Sequence, residues 1–77
     1  MRCYFCGADT VRRCVAVDER WDGRLVVVED MPADVCPQCG EVYYPPEAVK
    51  RLDALRRQPP PADALVETPV YRARQPA

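Results

Sequence analysis

Five cysteines and no histidine bound the chemistry open to this 77-residue chain. Four of the thiols form two knuckles, Cys3-Tyr4-Phe5-Cys6-Gly7 and Cys36-Pro37-Gln38-Cys39-Gly40. In each, the glycine permits the tight turn that aims backbone N–H groups at sulfur, so that two thiolates converge on one ion. Together Cys3, Cys6, Cys36 and Cys39 make the closed tetrahedral set of one structural Zn2+. Two disulfides, or a redox Cys-x-x-Cys, are the competing readings. A redox site needs only one pair, opening a helix after a buried strand, and neither knuckle has that context.

The fifth thiol, Cys14, has no pair and reads as a small buried hydrophobe opposite Met31. Without histidine, general-base, Ser–His and Cys–His mechanisms lose their commonest residue. A thiol oxidoreductase using Cys14 or one knuckle would lack a second catalytic group. The chain is therefore not expected to be an enzyme.

Knuckles so far apart in sequence meet only if the chain between them returns to its start. Val11 to Trp21 and Arg24 to Met31 are valine-rich and flank Asp22-Gly23, a pair suited to a type I′ turn. Pairing from that turn sets Trp21 opposite Arg24, Glu19 opposite Val26, Val17 opposite Val28 and Val15 opposite Asp30. The other face carries Arg20 with Leu25, Asp18 with Val27, Ala16 with Glu29 and Cys14 with Met31. Neither face is cleanly apolar, so one is expected to be partly covered by a helix and the other open to a partner. Trp21 and Arg24 at the tip are candidate partner contacts, because Trp and Arg are enriched at hot spots. The alternative is a Trp21 ring lying over the hairpin, stacked on a guanidinium.

Val42-Tyr43-Tyr44 reads as a short strand ended by Pro45. Pro46 and Glu47 suit a first helical turn, and Ala48, Val49, Leu52 and Leu55 recur at helical spacing, which predicts a helix over about Pro46 to Arg57. Pro59-Pro60-Pro61 ends it with a stiff spacer. Ala64 to Arg72 is strand-like but interrupted by Pro69, which confines it to an edge or an intermolecular role. Val66, Val70 and Tyr71 are then candidate partner contacts of an arm, with a disordered terminus as the alternative. The expected architecture is a small α+β zinc-binding domain over residues 1–58, an antiparallel hairpin plus short strand and one helix, with an extended proline-rich C-terminal arm over 59–77.

A core of this size is marginal and usually needs a metal, disulfides or a partner. Structural zinc in finger peptides contributes on the order of 10 kcal/mol of apparent free energy, so the metal-free chain is expected to be largely unfolded. The formal net charge is −1, and four thiolates with Zn2+ bring it to about −3. That balance opposes autonomous nucleic-acid binding, which wants a strongly basic face. Lys50, Arg51, Arg56 and Arg57 read as a solvated helix face. No apolar run is long enough to span a bilayer and the N-terminus lacks a signal-peptide core. Thiols kept for metal fit a reducing, cytoplasmic setting.

The doubled knuckle, a hairpin tipped by Gly23-Arg24, a helix soon after Cys39 and the ending Thr68-Pro69-Val70-Tyr71 resemble the YgiT-type (MqsA-like) zinc-finger family. The likeness covers roughly Met1 to Arg57, with Cys3, Cys6, Cys36 and Cys39 at the ligand positions. Larger members of that family neutralise an mRNA-cleaving toxin with the zinc domain and bind operator DNA with a separate helix-turn-helix. The stretch after Pro61 is too short and proline-interrupted for a helix-turn-helix, so no autonomous sequence-specific DNA binding is expected. The resemblance implies an antitoxin of a type II toxin–antitoxin system that binds and neutralises a small, ribonuclease-like toxin. A homodimer paired through the arm is a further arrangement. The competing function is a zinc-ribbon module in nucleic-acid binding or in a transcription or translation assembly, which would want basic and aromatic residues on one open face.

Overall fold

A computed structural model describes residues 1–74. The elements run β1 (Val11–Trp21), β2 (Arg24–Val35), β3 (Val42–Tyr43) and α1 (Pro46–Arg57), and the strands form one antiparallel sheet in the order β1-β2-β3. The hairpin turns where expected. Asp22 and Gly23 both have positive φ, 50° and 80°, as a type I′ turn requires. The Arg20 guanidinium braces the turn by donating to the Gly23 carbonyl at 3.1 Å.

Pairing follows the expected register from Trp21↔Arg24 to Val17↔Val28 and then shifts. Val15 faces Met31 rather than Asp30, and Cys14 faces Pro32 rather than Met31. Glu29 and Asp30 together stand against Ala16 in a β-bulge, with Asp30 in the left-handed region at φ 59°. The reason lies in side-chain parity. Unbroken pairing would put Asp30 on the covered face and Met31 outside; one extra residue aligns Val26 and Val28 with Met31 and Ala33 on a single face. Met31 and Ala33 are accordingly buried. Cys14, expected to be buried, is exposed on the open face. The second strand also continues past Met31 to Val35, so it delivers Cys36 directly from its end.

The helix occupies the expected span. Pro46 opens it with a preset φ, the Ala48 N–H donates to the Pro45 carbonyl at 2.9 Å, and Glu47 and Arg56-Arg57 complement the two ends of the helix dipole. Ala48 is fully buried, Leu52 and Leu55 are half-buried, and α1 packs on β2. Val49 is exposed, because one residue on from Ala48 is about 100° round the helix. Two arginines tie the layers. Arg56 Nη2 reaches both carboxylate oxygens of Glu19 at 2.9 and 3.1 Å. Arg12 joins Asp34 at 3.0 Å and Glu47 at 3.5 Å. Trp21 is half-buried and its indole N–H donates to Glu19 Oε1 at 2.9 Å. Its polar partner is thus a carboxylate, and the Trp21 N–H, followed by Arg56, holds Glu19 below the usual carboxylate range.

Among the described residues the buried apolar side chains are Cys3, Met31, Ala33, Cys36 and Ala48. Two of these are knuckle cysteines, so the interior is assembled around sulfur. Hydrophobic burial of about 25 cal/mol per Å2 over so few side chains cannot offset the ordering entropy of such a chain.

Residues 59–74 have no regular secondary structure and are exposed along their length, with Leu65 at 93% and Tyr71 at 87%. The last three residues of the expected arm, 75–77, lie outside the described residues. Removal of everything from Leu65 onward is expected to leave metal content and the thermal unfolding midpoint unchanged within about 2 °C by circular dichroism, since the arm is itself exposed along its length. A truncated chain without a cooperative transition would place the arm in the core. Among the described residues no helix is long and apolar enough to cross a membrane.

Candidate metal centre

The same loop is built twice. The Cys3 N–H donates to the Ala8 carbonyl at 2.8 Å and the Gly7 N–H to the Cys3 carbonyl at 3.1 Å; the Cys36 N–H donates to Glu41 at 2.8 Å and the Gly40 N–H to Cys36 at 2.9 Å. Gly7 and Gly40 have φ of 77° and 82°, a conformation a side chain would strain. Flanking pairs match as well, Arg2↔Asp9 beside the first loop and Val35↔Val42 beside the second. Thr10 locks the first stub by donating both its N–H and its hydroxyl to the Met1 carbonyl, each at 2.8 Å.

The hairpin folds these two loops against each other. The sulfurs of Cys3, Cys6, Cys36 and Cys39 all lie within 4.8 Å of one another. Their closest approaches cross between knuckles, Cys3 to Cys39 at 3.4 Å and Cys6 to Cys36 at 3.3 Å. All four are free thiols, far beyond the ~2.05 Å of an S–S bond. Metal–sulfur bonds of about 2.3 Å would make the edges of a tetrahedron about 3.8 Å, inside the observed spread. Donor type, number and convergence all fit a metal ion held by four thiolates. Such a set is closed, leaving no position for substrate or water. Cys3 and Cys36 are buried, Cys6 is half-buried and Cys39 is exposed.

The thiols divide electrostatically. Cys3 is lowered to about 6, first by the hydroxyl of Tyr43 and then by the Cys6 backbone N–H. Cys36 is lowered chiefly by the backbone N–H of Cys39, 3.5 Å from its sulfur. At Cys39 the Glu41 N–H favours the thiolate, but Cys3, burial and Cys36 outweigh it and push the thiol up to about 12. At Cys6 the Ala8 N–H favours the thiolate, and Cys36, burial and Cys3 prevail to raise it. Each close cross-knuckle pair therefore joins one acidified sulfur to one that keeps its proton. Four negative charges this close are unfavourable unless a cation replaces those protons.

Tyr43, read beforehand only as a strand residue, touches the centre. Its hydroxyl lies 3.5 Å from Cys3 Sγ and accepts the Tyr4 N–H at 3.0 Å. Nothing local to Val42-Tyr43 signals this, because the contact spans the two knuckles. Tyr4 and Phe5 also stand at the rim of the centre. With both cysteines turned inward, the residues between them point out, and Tyr4 is 90% and Phe5 78% exposed. That signal was present in the knuckle spacing.

The candidate partner residues are spread over two places. Trp21 and Arg24 face each other at the hairpin turn, opposite the end that carries Cys36. Arg24 is exposed, whereas Trp21 is half-buried with its N–H already occupied. Val66, Val70 and Tyr71 are exposed on the arm. No protein-family model, curated protein or solved structure matches this chain.

Proposed function

We propose that this chain is a zinc-stapled, protein-binding antitoxin that covers the surface of a small, basic, ribonuclease-like toxin. Zinc is the metal that best suits four thiolates in a closed tetrahedron, with no open site for catalysis. The observation that carries the binding role is an inverted distribution of apolar side chains. Tyr4, Phe5, Leu25, Val27, Leu65, Val66, Val70 and Tyr71 are exposed, while the buried set is dominated by cysteine and alanine. Tyr4, Phe5, Leu25 and Val27 stand on the frame held by metal, where display of an apolar side chain costs little ordering entropy on association, whereas those of the arm must be ordered by the partner.

The frame adds two further means of recognition. β3 pairs with β2 only at Asp34 and Val35, so among the described residues most of β2 and the outer side of β1 keep free edges for strand addition. The acidic net charge would steer a basic partner toward it. The resemblance to YgiT-type zinc fingers supplies the partner class. A second reading, stacking of nucleic acid on Tyr4 and Phe5 beside Arg2, draws on their exposure; it requires oligonucleotide binding that weakens steeply with salt.

Co-expression with the product of the adjacent reading frame tests the proposal. Growth arrest by that product is expected to be relieved by this chain and restored when Cys36→Ser replaces it. Relief that survives loss of Cys36, or a neighbour harmless by itself, would overturn the antitoxin reading.

A further inference from the structure

We propose that Tyr43 is a positioning residue of the metal centre, its phenol holding the first knuckle in place and donating a hydrogen bond to the Cys3 sulfur. This rests on the four cysteines holding a metal ion and goes beyond it by naming a residue outside the ligand set.

Donor counting makes the argument. A phenol has one proton to donate and lone pairs to accept. The Tyr4 backbone N–H is a donor only, so at 3.0 Å the hydroxyl must be the acceptor there. The phenolic proton remains for the other neighbour, Cys3 Sγ at 3.5 Å. Cys3 is 4% exposed, which leaves water little room to provide a substitute donor. A thiolate needs such donors when buried, and a ligand's hydrogen-bond partners set its basicity and orientation.

The two stubs show why the contact is specific. Tyr43 stands one residue after Val42 of the pair Val35↔Val42, where the first stub has Thr10 one residue after Asp9 of the pair Arg2↔Asp9. Thr10 is short and bonds to Met1 within its own stub. Tyr43 is long enough to cross from the second stub to the first. It thereby joins the knuckles through a link that involves no metal bond, and it makes two otherwise equivalent loops electronically unequal. Cys3 becomes the thiolate with the strongest added donor and therefore the weakest charge donor to the ion.

Co2+ titration of the full chain reads this directly, because the sulfur-to-cobalt charge-transfer band reports the energy of the thiolate electrons. The unaltered chain is expected to take one equivalent with the spectrum of a tetrahedral thiolate site. Tyr43→Phe keeps the ring and removes only the hydroxyl. It is expected to move the charge-transfer band to lower energy and to lose metal to a competing chelator about tenfold more readily. Should that variant not fold, biosynthetic replacement of the tyrosines by 3-fluorotyrosine keeps the donor and makes it more acidic. The band is then expected to move to higher energy. A Tyr43→Phe protein whose band is unmoved, whatever its affinity, would reduce Tyr43 to a packing role and overturn the inference, as would an unmoved band in the fluorinated chain. Failure of the unaltered chain to give a tetrahedral cobalt spectrum would instead overturn the metal centre, and the inference with it.

Discussion

Exchange of Cys36 for serine is expected to leave this chain without a cooperative fold. Cys36 is 1% exposed, it directly follows β2, and its sulfur meets Cys6 from the other knuckle at 3.3 Å. Serine would keep the loop hydrogen bonds but remove one of four metal bonds and place a hydroxyl where a thiolate belongs. The remaining buried apolar side chains are Met31, Ala33, Ala48 and Cys3, too few to hold a domain of this size. Metal binding is therefore folding free energy, and in finger peptides it is on the order of 10 kcal/mol. Metal analysis with circular dichroism should show one Zn2+ per unaltered chain, and loss of both metal and the cooperative transition in Cys36→Ser or on chelation. Cys14→Ser is the internal control. Cys14 is exposed on the open face, so its replacement is expected to change neither metal content nor melting. A metal-free chain that still melts cooperatively would refute the dependence.

Acid is expected to strip the metal steeply. The metal-free chain is expected to be unfolded, so its thiols titrate at the ordinary value of about 8.5 and hold their protons at and below neutral pH. The ion binds thiolates, so folding around it releases about four protons, and apparent affinity falls by as much as about ten-thousandfold for each pH unit lost. The unfolded state binds more protons than the metal-bound fold, so stability rises with pH through the thiol range and is lost below it. Proton release in weakly buffered titration, with chelator competition from pH 8 to pH 5, measures the slope. A metal affinity that is flat across this range would show that the ligands are not these thiols.

Much of the site was legible from sequence because it rests on short-range chemistry. The knuckles need only Cys-x-x-Cys-Gly, since Gly7 and Gly40 can enter the positive-φ region that closes each loop. The turn at Asp22-Gly23 and the ends of α1 at Pro46 and Arg57 follow in the same way from residues that favour one backbone conformation. What sequence could not determine was parity. Alternation along β2 is the same with or without a bulge until one knows which face the helix covers. Burial of Met31 and Ala33 on the face of β2 that packs with α1 decided that, and with it put Asp30 at positive φ and left Cys14 on the solvent side.

Trp21 and Tyr43 illustrate the same limit at the level of single contacts. Each was visible as a residue with a polar handle. Glu19 takes the Trp21 N–H because Arg56, on a distant helix, holds that carboxylate in place. Tyr43 reaches Cys3 only because a long hairpin brings two equivalent loops face to face. Local residue types determined that four sulfurs could share an ion. The tertiary structure alone decided which neighbours touch them, because a hydrogen bond across the fold depends on register and packing that no short stretch of sequence specifies.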